Sequence, residues 1–254
     1  MQTHLAPASD LPSLRDRLRG VFGAFDPTPP ERRMDPVSQL IKAVIGARTY
    51  DEVAWAAFIR LQQAFPDWRT LADAGPEGIE QVIDPVAFAE AKARQLPSVV
   101  RAILRERGEL DLDFLGQAPV EAAMARLRTL NGVGVTCAAA TLNFSRLNRR
   151  TLVVDAHVLR VTRRLGLVSQ GADELRAYDE LMAQAPADWG AEDLHELHWL
   201  LKPHGQSICT HFDPACGLCV LSETCPRVGV ARDQENRVVA FPTTRPFLAQ
   251  VAEA

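Results

Sequence analysis

Apolar residues recur every three or four positions along most of the chain, which is the spacing of one face of an α-helix. The segment Asp35–Ala47 shows this pattern after an Asp–Pro pair, in which aspartate caps a helix and proline fits its first turn. The segment Tyr50–Phe65 repeats it. The same spacing predicts further helices over Pro76–Ile83, Phe88–Arg107, Pro119–Thr129, Val135–Leu147, Ala156–Leu165, Asp173–Gln184 and Ala191–Pro203. Strand-like alternation is nearly absent, so the sequence predicts an all-α protein with roughly ten helices.

Three stretches depart from this helical pattern. Pro97 lies inside the predicted helix 88–107 and should bend or split it, because proline lacks the amide hydrogen that a helix uses. Residues 25–33 are rich in proline and are expected to form a connector. The residues after Cys225 have mixed composition, so we expect a strap or a partly disordered tail there.

The composition is that of a soluble globular protein. Of the 254 residues, 47% are apolar and 24% are charged, and no apolar run approaches the ~20 residues of a membrane-spanning helix. The first residues lack the basic start and apolar stretch of a secretory signal. These features favour a cytoplasmic location.

Charge and basic residue type are unevenly distributed. The formal net charge of −4 argues weakly against a nucleic-acid partner. A run of arginines between residues 146 and 164, however, forms a basic face that either binds phosphate or is simply solvated. The run consists of Arg146, Arg149, Arg150, Arg160, Arg163 and Arg164. The only lysines are Lys42, Lys92 and Lys202, which matters because arginine cannot act as an amine nucleophile.

Four of the five cysteines lie within 17 residues, with the spacing C-x6-C-x2-C-x5-C. They are Cys209, Cys216, Cys219 and Cys225. In a cytoplasmic protein, such a group indicates a metal site rather than disulfides. Zinc and a [4Fe–4S] cluster both suit four thiolates, and the single C-x2-C pair favours iron–sulfur over zinc. Cys137 stands apart in an alanine-rich predicted helix and is interpreted as core packing.

A glycine hairpin is predicted where the sequence LNGVGV joins two helices. Its two glycines can adopt backbone conformations closed to other residues. The first N–H groups of the following helix, together with those of the hairpin, would point outward and form an anion site. Such a site suits DNA phosphates and reads no base sequence, although an ordinary helix connection is the alternative. The candidate DNA-binding residues here are Asn131, Gly132, Val133, Gly134 and Val135.

Asp155 follows an apolar triplet and precedes an apolar-periodic helix. It should cap that helix, and the helix N-terminus would keep its carboxylate ionised. Capping alone is one interpretation. The other is that a carboxylate at the floor of a pocket acts as a general base or stabilises a cation developing on a sugar.

The hairpin, the aspartate and the cysteine loop together resemble the endonuclease III family of helix–hairpin–helix DNA glycosylases. The resemblance runs from about Asp35 to Cys225. Its most specific parts are LNGVG, VVDAHVLRV, LHWLLKPHGQSIC and the cysteine spacing. It implies two all-helical domains with a DNA groove between them. One is a six-helix domain over residues 30–149, and the other is a cluster domain formed by residues 1–29 and 150–254.

The resemblance also implies an activity, a cofactor and a partner. A damaged or mismatched base of double-stranded DNA would be flipped into the cleft between the domains, and its N-glycosidic bond would be cleaved. Asp155 takes the position of the family's essential aspartate. The cysteines then favour a [4Fe–4S] cluster strongly over zinc. We expect a monomer associated with the nucleoid.

One departure from the family pattern concerns the chemistry. Bifunctional members carry a lysine two residues after the second hairpin glycine, where it forms a Schiff base and allows strand cleavage. This chain has Thr136 there, and a hydroxyl cannot form an imine. We therefore expect a monofunctional glycosylase in which Asp155 helps a water attack and Thr136 orients that water. Neither Lys42 nor Lys202 is near Thr136 in sequence, although the fold could bring either close.

Other departures concern how DNA is held. Arg48 stands where the family often has a glutamine that fills the gap left by the flipped base, and Phe88 occupies the opposing wedge position. The loop between Cys209 and Cys216 is basic in relatives, whereas here it contains Asp213 and no lysine or arginine. Fewer phosphate contacts should weaken DNA binding or reduce its salt dependence.

Alternative functions follow from the same residues. The neutral Thr136 and the acidic cluster loop are also compatible with a catalytically weak or inactive protein that binds damaged DNA on the same scaffold. A zinc-containing structural protein is a further alternative. An adenine-excising enzyme ranks low, since only 29 residues follow Cys225 and such enzymes usually carry a further domain.

Overall fold

The computed structural model describes residues 10–231. Ten α-helices and four short 3-10 segments, with no strand, make up this part of the chain, which confirms the all-α prediction. The helices are α1 Leu11–Phe22, α2 Pro36–Gly46, α3 Asp51–Ala64, α4 Pro76–Ile83, α5 Ala89–Arg107, α6 Val120–Arg128, α7 Val135–Phe144, α8 Ala156–Arg164, α9 Glu174–Gln184 and α10 Ala191–Ser207. No helix within residues 10–231 is long and apolar enough to cross a membrane. The expectations for the extreme N-terminus and for most of the C-terminal tail lie outside the described residues.

Aspartates begin several of these helices, as the sequence predicts. The carboxylate of Asp35 accepts hydrogen bonds from the backbone N–H groups of Val37 and Ser38, both at 2.9 Å. Asp173 caps α9 in the same way through Arg176. Each cap satisfies donors that the first turn of a helix leaves unpaired.

Proline does not end helices here in the way the sequence suggests. Pro97 was predicted to bend or split its helix; it does not split it, because α5 is one continuous helix from Ala89 to Arg107, and the bend stays a prediction. Pro97 is buried between Leu96 and Val99, and the burial of this apolar face outweighs one missing hydrogen bond. Helix α10 likewise continues past Pro203 to Ser207.

The helices enclose two hydrophobic cores. Helices α2–α7 surround the first core, while α1, α8, α9 and α10 surround the second. The extended segment 151–155 lies at their boundary: Val153 belongs to the first core, whereas Leu152 and Val154 belong to the second. Alternate side chains of an extended segment point in opposite directions, so this segment is fixed from both sides. The exact domain limits stay a prediction.

Candidate nucleic-acid and catalytic site

The glycine hairpin connects α6 to α7 and requires glycine at one of its two positions. Gly132 has a φ of +71°, and a Cβ atom there would lie 2.5 Å from the side chain of Gln95 in α5. The left-handed backbone disfavours any other residue there, and an added Cβ would also require the terminal amide of Gln95 to move. Gly134 differs, because its φ is −82° and a Cβ there would meet nothing within 4 Å.

The hairpin presents its backbone outward while its apolar side chains anchor it. Val133 and Val135 are buried in the first core, whereas Asn131, Gly132 and Gly134 are exposed. Helix α7 begins at Val135 without a side-chain cap. The N–H groups of its first turn are therefore available to an anion, as the sequence predicts.

Two further predicted DNA contacts lie on exposed, left-handed residues that precede helices. Arg48 precedes α3 with a φ of +57°, and Phe88 precedes α5 with a φ of +59°. The side chain of Phe88 is 63% exposed, which is unusual for a large apolar residue. Phe88 lies just before α5, and Gln95, which the hairpin approaches, lies about two turns into the same helix.

Lys92 joins the two loops that carry Arg48 and Phe88. Its ammonium group donates to the carbonyl oxygens of Ile45 at 2.7 Å and Ala47 at 2.6 Å, and to the hydroxyl of Thr49 at 3.1 Å. Those acceptors are the last carbonyls of α2 and the loop around Arg48, while Lys92 itself sits in the first turn after Phe88. Burial lowers the pKa of Lys92 to about 8.

The segment before Asp155 is held by hydrogen bonds from two helices. The hydroxyl of Thr136, in the first turn of α7, donates to the carbonyl oxygen of Val154 at 2.7 Å. Nδ1 of His198, in α10, lies 2.9 Å from the carbonyl oxygen of Val153. Because a carbonyl can only accept, Nδ1 of His198 carries the proton. The backbone leading into Asp155 is thus fixed by α7 on one side and α10 on the other.

Asp155 caps α8 and remains half-buried. One carboxylate oxygen accepts from the backbone N–H groups of His157 and Val158, both at 2.8 Å, which leaves the other oxygen for a further partner. Burial acts to raise the pKa of Asp155, but His198, Lys202 and the N–H of Val158 more than offset it, so the pKa lies below its usual value. The carboxylate is ionised at neutral pH.

A second carboxylate lies close by. Nζ of Lys202 in α10 is 2.5 Å from Oδ1 of Asp51, the first residue of α3, and Nε2 of Gln206 is 3.3 Å from Oδ2 of Asp51. Lys202 thus interacts with both carboxylates: directly with Asp51 and electrostatically with Asp155. We define the carboxylate site by five residues from both cores: Asp51, Thr136, Asp155, His198 and Lys202.

Lys42 is the second amine in this neighbourhood. Its Nζ lies 4.5 Å from the centre of the Trp55 ring, which is cation–π geometry. Burial lowers the pKa of Lys42, and the nearby charge of Lys202 lowers it further. The fold therefore brings Lys42 and Lys202 close enough to interact electrostatically.

The four clustered cysteines surround one cavity in the second core. Apolar side chains such as Val161, Leu165 and Leu221 complete its lining. No disulfide joins the cysteines of residues 10–231, and no three His, Cys, Asp or Glu side chains there are arranged to hold a single metal ion. Four cysteine thiols around one cavity are a donor set that fits a [4Fe–4S] cluster and that a tetrahedral zinc ion also accepts.

Comparison with known proteins places the chain in a family. Residues 41–186 match the family described as HhH-GPD superfamily base excision DNA repair protein. The chain belongs to this superfamily. It is 31% identical over 192 residues to endonuclease III of Synechocystis, covering 75% of this chain and 81% of the relative. It is 30% identical over 208 residues to the chicken endonuclease III-like protein 1, covering 82% and 69%.

Solved structures of the superfamily share the fold. The structure of a non-covalent endonuclease III–DNA complex superposes with a TM-score of 0.71 at 22% identity, covering 88% of this chain and 97% of that chain. A thermostable thymine-DNA glycosylase gives a TM-score of 0.63 at 18% identity, covering 85% and 95%. The endonuclease III-like assignment and its two-domain helical fold are confirmed, and the chain is a DNA glycosylase of base excision repair.

Several arginines of the run in this glycosylase bond within the protein, a role that the sequence did not suggest. Arg150 donates to the carbonyl oxygen of Trp189 at 2.7 Å, and Arg160 donates to that of Cys209 at 2.9 Å. Arg164 donates to the carbonyl oxygens of Thr210 and His211 in the cluster loop, at 2.6 and 2.9 Å. The guanidinium groups cross-link loops that would otherwise leave carbonyl groups unpaired.

The structure groups the predicted site residues into three sets. Thr136 and Asp155 come together in the carboxylate site, the hairpin and the Arg48 and Phe88 loops border α5, and the cysteines form a separate cavity. Cys137 is buried in the first core, as predicted. Sequence reasoning gave Lys92 no role and missed Asp51 and the 84% exposed Tyr50 near Arg48. It considered Lys202 only as a lysine that the fold could bring close to Thr136, because lysine is scarce in the chain.

Proposed function

We propose that this glycosylase flips a damaged or mismatched base out of double-stranded DNA and hydrolyses its N-glycosidic bond as a monomer. The proposal depends mainly on one contact, the hydrogen bond from Thr136 to the carbonyl oxygen of Val154. It ties the first turn after the hairpin to the residue before Asp155. A DNA strand gripped by the hairpin amides would therefore bring the sugar of its extruded nucleotide to the carboxylate of Asp155.

Each residue of the site then has a role. The ionised Asp155 stabilises the positive charge that develops on the sugar as the base departs, and it helps a water molecule attack C1′. Thr136 donates its own proton to Val154, so it orients that water only by accepting a hydrogen bond. Arg48 and Phe88 fill the space in the duplex that the base leaves.

The same arrangement supports a monofunctional reaction without strand cleavage. Formation of an imine requires an unprotonated amine at the sugar, and Thr136 supplies none. The ammonium group of Lys202 is engaged in an ion pair with Asp51, which directs it toward that carboxylate and away from a sugar. We infer that AP lyase activity is weak or absent.

We also propose that the four cysteines hold a [4Fe–4S] cluster, which would fix the geometry of the cluster loop without taking part in base release. Cys209, Cys216, Cys219 and Cys225 would each contribute one thiolate. An N–H of Arg164 lies 3.3 Å from Sγ of Cys209 and the backbone N–H of Leu221 lies 3.4 Å from Sγ of Cys219. Both are donors suited to a thiolate. Iron and sulfide analysis of the purified protein tests this.

A substrate screen tests the glycosylase proposal. Duplexes carrying an oxidised pyrimidine, a mismatched thymine or uracil, or an alkylated purine would be incubated with wild type and with Asp155→Asn. Base release by wild type that Asp155→Asn lacks supports the proposal. Tight binding of a lesion duplex without any Asp155-dependent release would instead favour the damage-binding protein.

Borohydride trapping tests the monofunctional proposal. A lesion duplex should give little covalent product with wild type, whereas Thr136→Lys should give trapped complex because the new amine would face the same sugar. Efficient trapping of wild type would contradict the proposal. The Thr136→Lys variant serves as the positive control for the assay.

A further inference from the structure

Lys202 forms the most direct link between the two sides of the carboxylate site. Its ammonium group is 2.5 Å from a carboxylate oxygen of Asp51, which begins α3 on the side of the first core. Lys202 itself belongs to α10, which packs in the second core beside the helix that Asp155 caps. The side chain is only 24% exposed, so water screens its charge poorly.

The choice of lysine at this position is informative. The chain uses arginine for 25 of its 28 basic residues, yet the basic residues that α2 and α10 place near the carboxylate site, Lys42 and Lys202, are lysines. An ammonium group is a compact charge that two carboxylates can share, whereas the planar guanidinium group favours one carboxylate in a forked pair. On the α7 side, Thr136 brings no positive charge to Asp155.

We propose that Lys202 is a positioning residue that couples Asp51 and Asp155, one carboxylate from each side of the site, through a single ammonium group. This inference rests on the proposed function. Two neighbouring carboxylates repel each other unless a cation lies near both. The ammonium group of Lys202 contacts Asp51 directly and interacts electrostatically with Asp155, so it offsets that repulsion and holds the Asp51 side chain toward α10.

The charged surroundings of Asp155 determine the direction of the effect. Lys202 and His198 on α10 both lower the pKa of Asp155, and burial acts against them. His198 is buried, and burial lowers its own pKa, so the α10 side chain that forms an ion pair in this site is Lys202. The other titratable or charged groups that interact with Asp155 or Lys202 are His157 and Arg160 on α8, Asp51 on α3 and Lys42 on α2. Removing Lys202 should therefore favour the protonated form of Asp155.

The experiment compares the pH dependence of base release in three variants under single-turnover conditions. Lys202→Met removes the charge and should move the acidic limb of the profile to higher pH, with the loss largest near about pH 5 and small near about pH 8. Lys202→Arg keeps a charge and should lie close to wild type. Gln206→Leu is the matched control, because it removes a neutral contact to Asp51 and no charge.

A spectroscopic readout separates this inference from the proposed function. The carboxyl carbon of Asp155, assigned by its absence in Asp155→Asn, can be titrated by NMR in protein labelled at aspartate. Its midpoint should rise in Lys202→Met and return toward the wild-type value in Thr136→Lys/Lys202→Met. An unchanged midpoint, or a rate loss equal at every pH, would overturn the role of Lys202. Absence of base release from wild type would instead contradict the proposed function while leaving the titration informative.

Discussion

The glycine hairpin and the carboxylate site, which we propose act on the same DNA substrate, are built in opposite ways. The hairpin is six consecutive residues, 130–135, whose proposed role lies in the backbone and whose valine side chains anchor it in the first core. The carboxylate site collects side chains from α3, α7, α10 and the start of α8. Substitutions should therefore act on the hairpin through local conformation and on the carboxylate site through charge.

The largest effect is expected for Asp155→Asn. Asparagine is also a good helix cap and can accept the same two N–H bonds, so the free energy of unfolding should change by less than about 1 kcal/mol. Base release should fall by a factor of roughly 100 to 10,000, because the negative charge is lost. Single-turnover rates and urea unfolding measure the two quantities. A large loss of stability with an unchanged rate would assign Asp155 to capping alone.

The two hairpin glycines offer a matched pair for the next effect. Gly132→Ala forces an alanine into a left-handed conformation against Gln95, which should cost about 1–2 kcal/mol of unfolding free energy and weaken DNA binding. Gly134→Ala meets no neighbour, so stability should change by about 0.5 kcal/mol or less. If the hairpin amides bind a DNA phosphate as proposed, the added methyl group should still lower DNA affinity. Equal stability losses in both variants would contradict this comparison.

Lys92→Met tests the comparison between backbone-based and side-chain-based sites at a third place, because the Lys92 side chain holds the backbone of the Arg48 loop. The variant leaves the carbonyl oxygens of Ile45 and Ala47 without their donor, at a cost of about 1–3 kcal/mol.

The pH dependence of that cost has a defined sign. Burial lowers the pKa of Lys92 to about 8, whereas an unfolded chain would titrate near about 10.4. Between these values the unfolded chain binds more protons, so the contribution of Lys92 to the unfolding free energy rises with pH. Urea unfolding of wild type and Lys92→Met between about pH 7 and 10 measures this difference. A constant difference across that range would show that Lys92 does not titrate there.

The smallest effect is expected in the cluster loop. Asp213→Lys should add one phosphate contact, strengthening DNA binding at low salt and steepening the dependence of log K on log salt by about 0.9. Glu109→Lys is the control, because it makes the same charge change at a different place. Phe88 precedes the first residue of α5, whereas Glu109 follows its last residue. Equal slopes for the two variants would place the cluster loop away from DNA.

The sequence predicted those features that depend on neighbouring residues. The caps of Asp35, Asp155 and Asp173 and the geometry of the hairpin all follow from interactions within about four positions. Pro97 was misjudged because its effect depended on core packing from other helices. The arginine run was unresolved for a similar reason, since its carbonyl partners are up to 49 residues away.

The carboxylate site was only half predictable. Asp155 and Thr136 could be found by their spacing from the hairpin, but the pairing of Asp51 with Lys202 joins positions 151 residues apart. Nothing local to either residue indicates that pairing. It follows from α10 lying across the start of α3, which is a property of the whole fold.

The three lysines also give this protein a built-in reporter. Every side-chain amine of the chain belongs either to the support of the Arg48 loop or to the surroundings of Asp155. An acylating reagent would, apart from the chain's N-terminal amine, modify only these places. Chemical footprinting with mass spectrometry would thus follow local opening and protection by duplex DNA without any substitution. Three peptides, each containing one lysine, would report the reactivity of all side-chain amines.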